Sequence, residues 1–456
     1  MEINVTLVVI TVVVLFLLIV RLIAAYKWKS IIHPALVFSL IWVVSVPGYL
    51  FMSEIAEFMY PPFPEYADEL NMFILFTAIC FHLISFQKSN LIKYKELNVN
   101  LDSFTFIYKK IFLLSFVSTI LYFIVVGASL SLGANRKGMI DATVDNFNSG
   151  GGSLGALMSV LSITQVFLIV SSIFVGYNIA KWIFYDKIYI KGTIWFLLPL
   201  ISNLIYSAAI GGRNPLIWGF KYHIIGFGLG CGTHLFRKNF KKATYYILFI
   251  IIAINSYSTF VANDRADFQG TELETNIFWD QHPLLKPFSG TFEYLTFHYM
   301  GYQYRRDDYV DDKLSYGTKS FGGILKFQIP FSNLIGLNFK LGDLVGKEYV
   351  YNLQDIMYSD RPFSVCTSSS FMILYDDFGF EGTLVVIFLL VFITQRIFIK
   401  LFLKNNYNFI SIIPIFLIWA FWSNTIFDSY FASNFIVYLY PFMVLDFLLP
   451  KQTNKQ

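Results

Sequence analysis

The chain has 456 residues, 56% of them hydrophobic and only 14% charged, with a formal net charge of +4. An average soluble domain carries about a quarter charged residues. A single globule cannot hide this much apolar surface, so the composition excludes an ordinary soluble fold and makes the bilayer the solvent. Cys80, Cys231 and Cys366 imply no disulfide framework, since two lie in apolar spans and one in a long loop.

The first stretch, MEINVTLVVITVVVLFLLIV, is too long and too little basic for a cleavable signal, and reads as a first membrane span. A spanning helix needs about 20 mostly apolar residues. By that measure eleven spans are predicted, at about 4–25, 31–52, 71–87, 108–130, 156–180, 193–210, 214–233, 244–262, 372–395, 408–424 and 431–449. The fold class expected is therefore an all-α integral membrane protein. Residues 1–262 form spans 1–8 with an outer loop at 131–155, and 372–456 form spans 9–11 and a tail. Between them, 263–371 is a large polar extracytoplasmic loop domain.

Orientation comes from the basic residues in the connections. Every second connection is basic, and that side collects 20 basic residues against the acidic Glu96, Asp102, Asp186 and Asp446. The alternation puts the N-terminus outside and the C-terminus in the cytoplasm. It also turns the 131–155 loop, the Gly211-Gly212-Arg213 run and the long loop outward. Basic residues that follow topology do not form a groove for nucleic acid. No strong internal repeat is visible, which disfavours the common transporter architectures.

Within the long loop, Phe292, Leu295, Tyr299 and Tyr302 share a helical face. The spacing predicts a helix over 288–304, lying on the surface of the membrane domain. Arg305 and Arg306 are followed by Asp307 and Asp308 and read as self-compensated, exposed charges.

Arg213 stands at the outer end of span 6, after two glycines that permit close approach. Its planar fork suits phosphate oxygens at the level of a lipid-linked phosphate. An interfacial anchor that snorkels to water accounts for it equally well. Arg136 opens a second outward cluster with Lys137, Arg265 follows span 8 beside Asp264 and Asp267, and Arg361 lies in SDRPFSV before span 9. Each also reads as an ordinary loop charge or ion pair. Lys221 lies about 12 Å into span 7, where a charge requires a partner or a wet cavity; His223 nearby reads as structural. For a proton acceptor, Asp376 and Asp377 stand at the outer mouth of span 9, where they would equally serve as first-turn acids. His298 titrates in the right range but lies among aromatic residues. No dinucleotide, Walker or HExxH motif is present, so neither a cofactor nor a metal is expected.

In these features the chain resembles the Wzy-type O-antigen or oligosaccharide repeat-unit polymerases. The resemblance covers most of the length. It rests on outward Arg136 with Ser149-Gly150, on Gly211-Gly212-Arg213, on Arg265 after the next outward-going span, and on the large loop followed by Asp377-Phe378-Gly379…Gly382. It implies a nucleotide- and metal-independent glycan transfer between undecaprenyl-pyrophosphate-linked oligosaccharides, with Arg213, Arg265 and Arg136 on the pyrophosphate. It also implies a bacterial cytoplasmic (inner) membrane, with the bilayer, a flippase and a chain-length regulator as partners. An O-antigen ligase and a lipid-linked oligosaccharide flippase are the competing readings.

Overall fold

The computed structural model describes residues 5–24, 33–55, 65–86, 240–269, 279–284, 286–296, 298–309 and 369–403. It also describes shorter runs or single residues within 113–128, 172–184, 220–228 and 314–320, and residues 421–422. The named elements are helices: α1 (Val5–Ala24), α2 (Pro34–Ile55), α3 (Ala67–Phe86), α4 (Phe240–Gln269), a 3-10 turn at Lys286–Phe288, α5 (Ser289–Thr296), α6 (His298–Tyr309) and α7 (Ser370–Leu403). Four stretches among the described residues are long and apolar enough to cross a membrane: Val5–Ile23, Pro34–Glu54, Ala67–Ser85 and Ser370–Phe398. The fold is that of an all-helical, multi-pass membrane protein.

Helix α1 is rich in β-branched residues, which have modest helix propensity in water. In hydrocarbon the helix wins because it satisfies every backbone group internally. One face of α1, including Val9, Val13, Phe16, Leu17 and Val20, is exposed, whereas Leu15, Leu18 and Leu22 enter the core. Helix α2 is capped by His33, whose Nδ1 accepts the Ala35 N–H at 3.2 Å, and Pro34 takes the first helical position, where no N–H is required. Helix α3 opens with Asp68 and Glu69, acids that suit the positive end of its dipole. The spans expected at 4–25, 31–52 and 71–87 thus correspond to α1–α3. The span expected at 244–262 lies inside α4, a helix outside the four stretches named above.

The relative levels of these helices follow from pairs of side chains. At one end an Arg21 guanidinium nitrogen lies 2.6 Å from His82 Nε2, and Gln395 Nε2 donates to Ser85 Oγ at 2.8 Å. His33 meets the Phe398 ring edge-on there. The opposite end carries Ile55, Ala67 and Gly379; this is the end that the basic connections assign to the outside. Elsewhere, helical residues 172–184 and 222–228 cross in backbone contact. A Cβ on Gly226 would lie 1.8 Å from the Ile173 carbonyl oxygen, so only glycine fits that crossing.

The long polar segment departs from expectation. The predicted surface helix over 288–304 is two helices, α5 and α6, packed into the membrane domain. Helix α5 descends along α2: Phe292 meets Phe51 edge-on, and Thr296 abuts Gly48. His298 then reaches Trp42, with ring centroids 4.6 Å apart. Helix α6 climbs back, placing Tyr299 on Tyr49 and Tyr302 at Glu69. Trp42 is 13 positions before Ile55, the end of α2, or about 20 Å along the helix axis. The apolar face expected from Phe292, Leu295, Tyr299 and Tyr302 is present, but it faces α2 and α3 within the core. Tyr299 and Tyr302 are buried and Phe292 and Leu295 partly so, and removing that apolar area from water outweighs leaving it on a wet surface.

Helix α7 changes direction at Gly379, whose φ of 68° and ψ of −175° are non-helical. Its first half runs antiparallel to α3, with Phe371 beside Phe73 and Tyr375 near Glu69. Its second half runs parallel to α3, with Phe380 again beside Phe73 and Gln395 on Ser85. The span expected at 372–395 lies within the apolar stretch Ser370–Phe398, which is bent at Gly379 into a short first helix and a longer second one. The acids Asp376 and Asp377 do not cap it: Ser369 does, its Oγ accepting the Phe371 N–H at 3.0 Å.

Gly48 is where α5 comes closest to α2. A Cβ there would fall 2.7 Å from Thr296 Cγ2 and 3.2 Å from Phe292. Gly48→Val should therefore cost about 1–3 kcal/mol by overpacking. Thermal unfolding of the purified protein should show the loss, and Thr296→Ala in the same chain should recover part of it.

Candidate functional site

Two clasps join the long polar segment to the end of the membrane domain that carries Ile55 and Ala67. The first is centred on Arg306. Its Nε lies 3.4 Å from Glu69 Oε1, and its Nη2 donates to Glu69 Oε2 at 3.4 Å. Its guanidinium carbon sits 4.5 Å from the centroid of the Tyr66 ring and 4.1 Å from that of Tyr375. The Tyr302 hydroxyl donates to the same Glu69 carboxylate, and one turn deeper the Tyr299 hydroxyl donates to Asn71 Oδ1. Arg306 is thus no self-compensated surface charge. Its side chain is 13% exposed and that of Glu69 17%. The adjacent charges in the sequence concealed a partner 237 positions distant.

The second clasp is Asp377. This residue is fully buried, its carboxylate accepts the backbone N–H of Ser320, and its carbonyl accepts the N–H of Tyr316 at 3.0 Å. Leu314 lies over Gly379, 3.6 Å from where a Cβ would be. The carboxylate expected as a proton acceptor therefore holds a turn of the long segment against the bend in α7. Burial on both sides raises the desolvation of Tyr302, so its phenol sits well above the usual range, the neighbouring Glu69 charge acting in the same direction.

His298 is buried, at 2% exposure. Its Nδ1 lies 2.7 Å from the Leu295 carbonyl oxygen. A carbonyl only accepts, so Nδ1 carries the proton and Nε2 keeps its lone pair. Among the described residues no protein atom bonds to that Nε2. Burial pushes the ring's pKa down to about 3, against a weaker opposite effect of the Leu295 carbonyl. At neutral pH the imidazole is neutral, wedged against Trp42 and Tyr299.

Of the other residues expected at the site, Arg136, Arg213, Lys221 and Arg361 lie outside the described residues. Arg265 falls within α4, which continues through Gln269. The structure brings Asp377 to the outer end and His298 to the base of the α5–α6 pair, on either side of the Arg306 clasp. His223 takes the structural position expected for it: buried, with Nε2 hydrogen-bonded to the Tyr246 hydroxyl of α4. Among the described residues no three His, Cys, Asp or Glu side chains converge on a metal-sized site. Tyr66, Tyr302, Arg306 and Tyr375 were not singled out as a group from the sequence. The available signal was the pair of long aromatic and basic side chains at positions 302 and 306, one helical turn apart.

No family model, curated protein or solved structure matches the chain.

Removing the Arg306 side chain leaves a largely buried carboxylate and two unpaired ring faces. Arg306→Ala should cost about 2 kcal/mol, since partial exposure discounts the full penalty of a broken buried pair. Arg306→Lys should recover little, because an ammonium cannot fill the slot between two rings. Pairing Arg306→Met with Glu69→Gln should restore much of the loss in thermal unfolding.

His298 sets a pH dependence. The folded ring has its pKa near 3 and the unfolded ring near 6.5, so the unfolded state binds the extra proton. The stability is fully present above pH 6.5 and is lost as pH falls from 6.5 toward 3, at a slope approaching about 1.4 kcal/mol per pH unit. His298→Phe, which keeps a ring against Trp42, should flatten the unfolding profile across that window.

Proposed function

We propose that the chain polymerises lipid-linked oligosaccharide repeat units on the outer face of the cytoplasmic membrane. The reading includes an eleven-span architecture with the N-terminus outside. In it a growing glycan on undecaprenyl pyrophosphate is transferred to the non-reducing end of a new lipid-linked repeat. An acceptor hydroxyl oxygen attacks the anomeric carbon, and the bond from that carbon to the pyrophosphate oxygen breaks. The hydroxyl proton is taken up by the departing lipid pyrophosphate. Negative charge grows on the leaving group, and Arg213, Arg265 and Arg136 stabilise it in a partly dry site, with Arg361 and Lys221 adding positive potential.

The observation that supports this reading over a scaffold with a detached external domain is the seating of α5 and α6. Helices α5 and α6 of the polar segment pack against α2 and α3, and the segment is tied to the spans by Arg306–Glu69 and by Asp377 with the backbone of Tyr316 and Ser320. A catalytic constellation needs such rigid support, because small misplacements cost large factors in rate. On this reading Asp377 and His298 hold the scaffold in place, since each is buried and hydrogen-bonded to backbone.

Complementation of a strain lacking the gene tests the proposal. Wild-type protein should restore a ladder of surface glycan. Arg213→Ala should insert normally yet lower polymer formation by about a hundredfold or more, on the precedent of well-aimed charge-stabilising donors. Normal ladders from Arg213→Ala would remove that residue from the site. Accumulated unattached polymer in the deletion strain would mark a ligase instead.

A further inference from the structure

Two buried polar atoms of complementary character belong to the base of the α5–α6 pair. The first is Nε2 of His298. Because Nδ1 gives its proton to the Leu295 carbonyl, Nε2 keeps a lone pair and only accepts. The second is Oγ of Ser45 on α2, a residue with 0% exposure. Among the described residues neither atom has a hydrogen-bond partner. Leaving both unmet would cost the folded state the hydration that each atom enjoys in the unfolded chain.

Helical register places Ser45 against the junction of α5 and α6. Three other residues of α2 touch that part of the chain: Trp42 meets the His298 ring, Gly48 abuts Thr296, and Tyr49 lies on Tyr299. Ser45 follows Trp42 by three positions and precedes Gly48 and Tyr49 by three and four. It therefore shares their face and lies between them in height. Its hydroxyl does not turn back onto its own helix, as those of Thr11 and Thr77 do. The backbone at the junction has the same need. Helix α5 ends at Thr296 and α6 begins at His298, level with the middle of α2. The last-turn carbonyls of a helix have no partner within it, and bulk water does not reach that depth. His298 Nδ1 satisfies one of them, at Leu295. A water molecule fits the remaining set, because it donates to a lone pair and to a carbonyl and accepts from a hydroxyl. A buried water typically makes about three such bonds.

We propose that Ser45 and His298 hold one ordered water between α2 and the α5–α6 junction. The water accepts the Ser45 O–H, donates one proton to His298 Nε2, and gives the other to a last-turn carbonyl of α5. It ties the deep end of the pair to α2, as Arg306 and Glu69 tie the other end to α3. The inference stands independently of the polymerase reading.

The test uses full-length protein in lipid nanodiscs. Imaged at a resolution that shows ordered water, the wild type should carry density within hydrogen-bonding distance of both Ser45 Oγ and His298 Nε2. Ser45→Ala removes one oxygen from α2, and its map should lose or displace that density. Nitrogen NMR of protein labelled in its histidines reads the other end, the His298 signal being the one missing from His298→Phe. In the wild type Nε2 should resonate as an unprotonated, hydrogen-bonded nitrogen. In Ser45→Ala it should shift toward the unbonded position while the other histidine signals stay in place, which shows that the fold is kept. A dry junction in the wild-type map overturns the proposal, as does direct contact between Oγ and Nε2. So does a wild-type Nε2 already at the unbonded position, a ring protonated on both nitrogens against the Trp42 face, or a signal unmoved by Ser45→Ala. The wild-type map and spectrum decide the matter even where Ser45→Ala fails to fold.

Discussion

Arg306 reaches 237 positions back along the chain to Glu69, and the outer architecture hangs on that pair. Neither charge would be stable alone at the boundary of an apolar bundle. Together, with a phenol on the carboxylate and the Tyr66 and Tyr375 rings against the guanidinium, they neutralise each other in a largely buried setting. The pair closes the top of the α5–α6 hairpin. It forces α6 to return to the outer end next to α3, and so fixes how deeply His298 sits against Trp42.

The same logic governs the backbone. A chain that enters a membrane domain and leaves on the same side must bond its own peptide groups or be covered by protein. Helices α5 and α6 do both, being helical and packed against α2 and α3. The first half of α7 is built alike: capped by Ser369, helical to Phe378, then turned by Gly379 into a long apolar run. Three threonines of the bundle follow suit. Thr11, Thr77 and Thr383 each return a hydroxyl to the carbonyl four residues earlier, so polarity inside the bundle does not leave unmet bonds at these points.

Much of this was legible in the sequence, and what was not has physical causes. Long apolar runs announce α1, α2 and α3 because length and hydropathy are sufficient signals for a helix in lipid. The periodicity of Phe292, Leu295, Tyr299 and Tyr302 marked the buried face of α5 and α6 correctly, but periodicity names a face and never its partner. The polar composition of 263–371 suggested a wet cap, since Arg305, Arg306, Asp307 and Asp308 average to neutrality along the chain. The fold gives Arg306 to Glu69. Likewise the Asp376-Asp377 pair looked like a cap or a base. Only the fold shows that the carboxylate of Asp377 meets a backbone amide from a turn 57 positions away.

The central claim is that α5 and α6 of the polar segment dip between the spans rather than lying over them. Disulfide trapping tests it most directly. In a chain whose native cysteines are replaced, Gly48→Cys and Thr296→Cys place two thiols at the closest approach of α2 and α5. The account predicts near-complete oxidation to an internal cross-link in native membranes, with neither thiol open to an impermeant maleimide from outside. A pair that fails to cross-link, with the thiol at 296 labelled freely from the outer side, would contradict it.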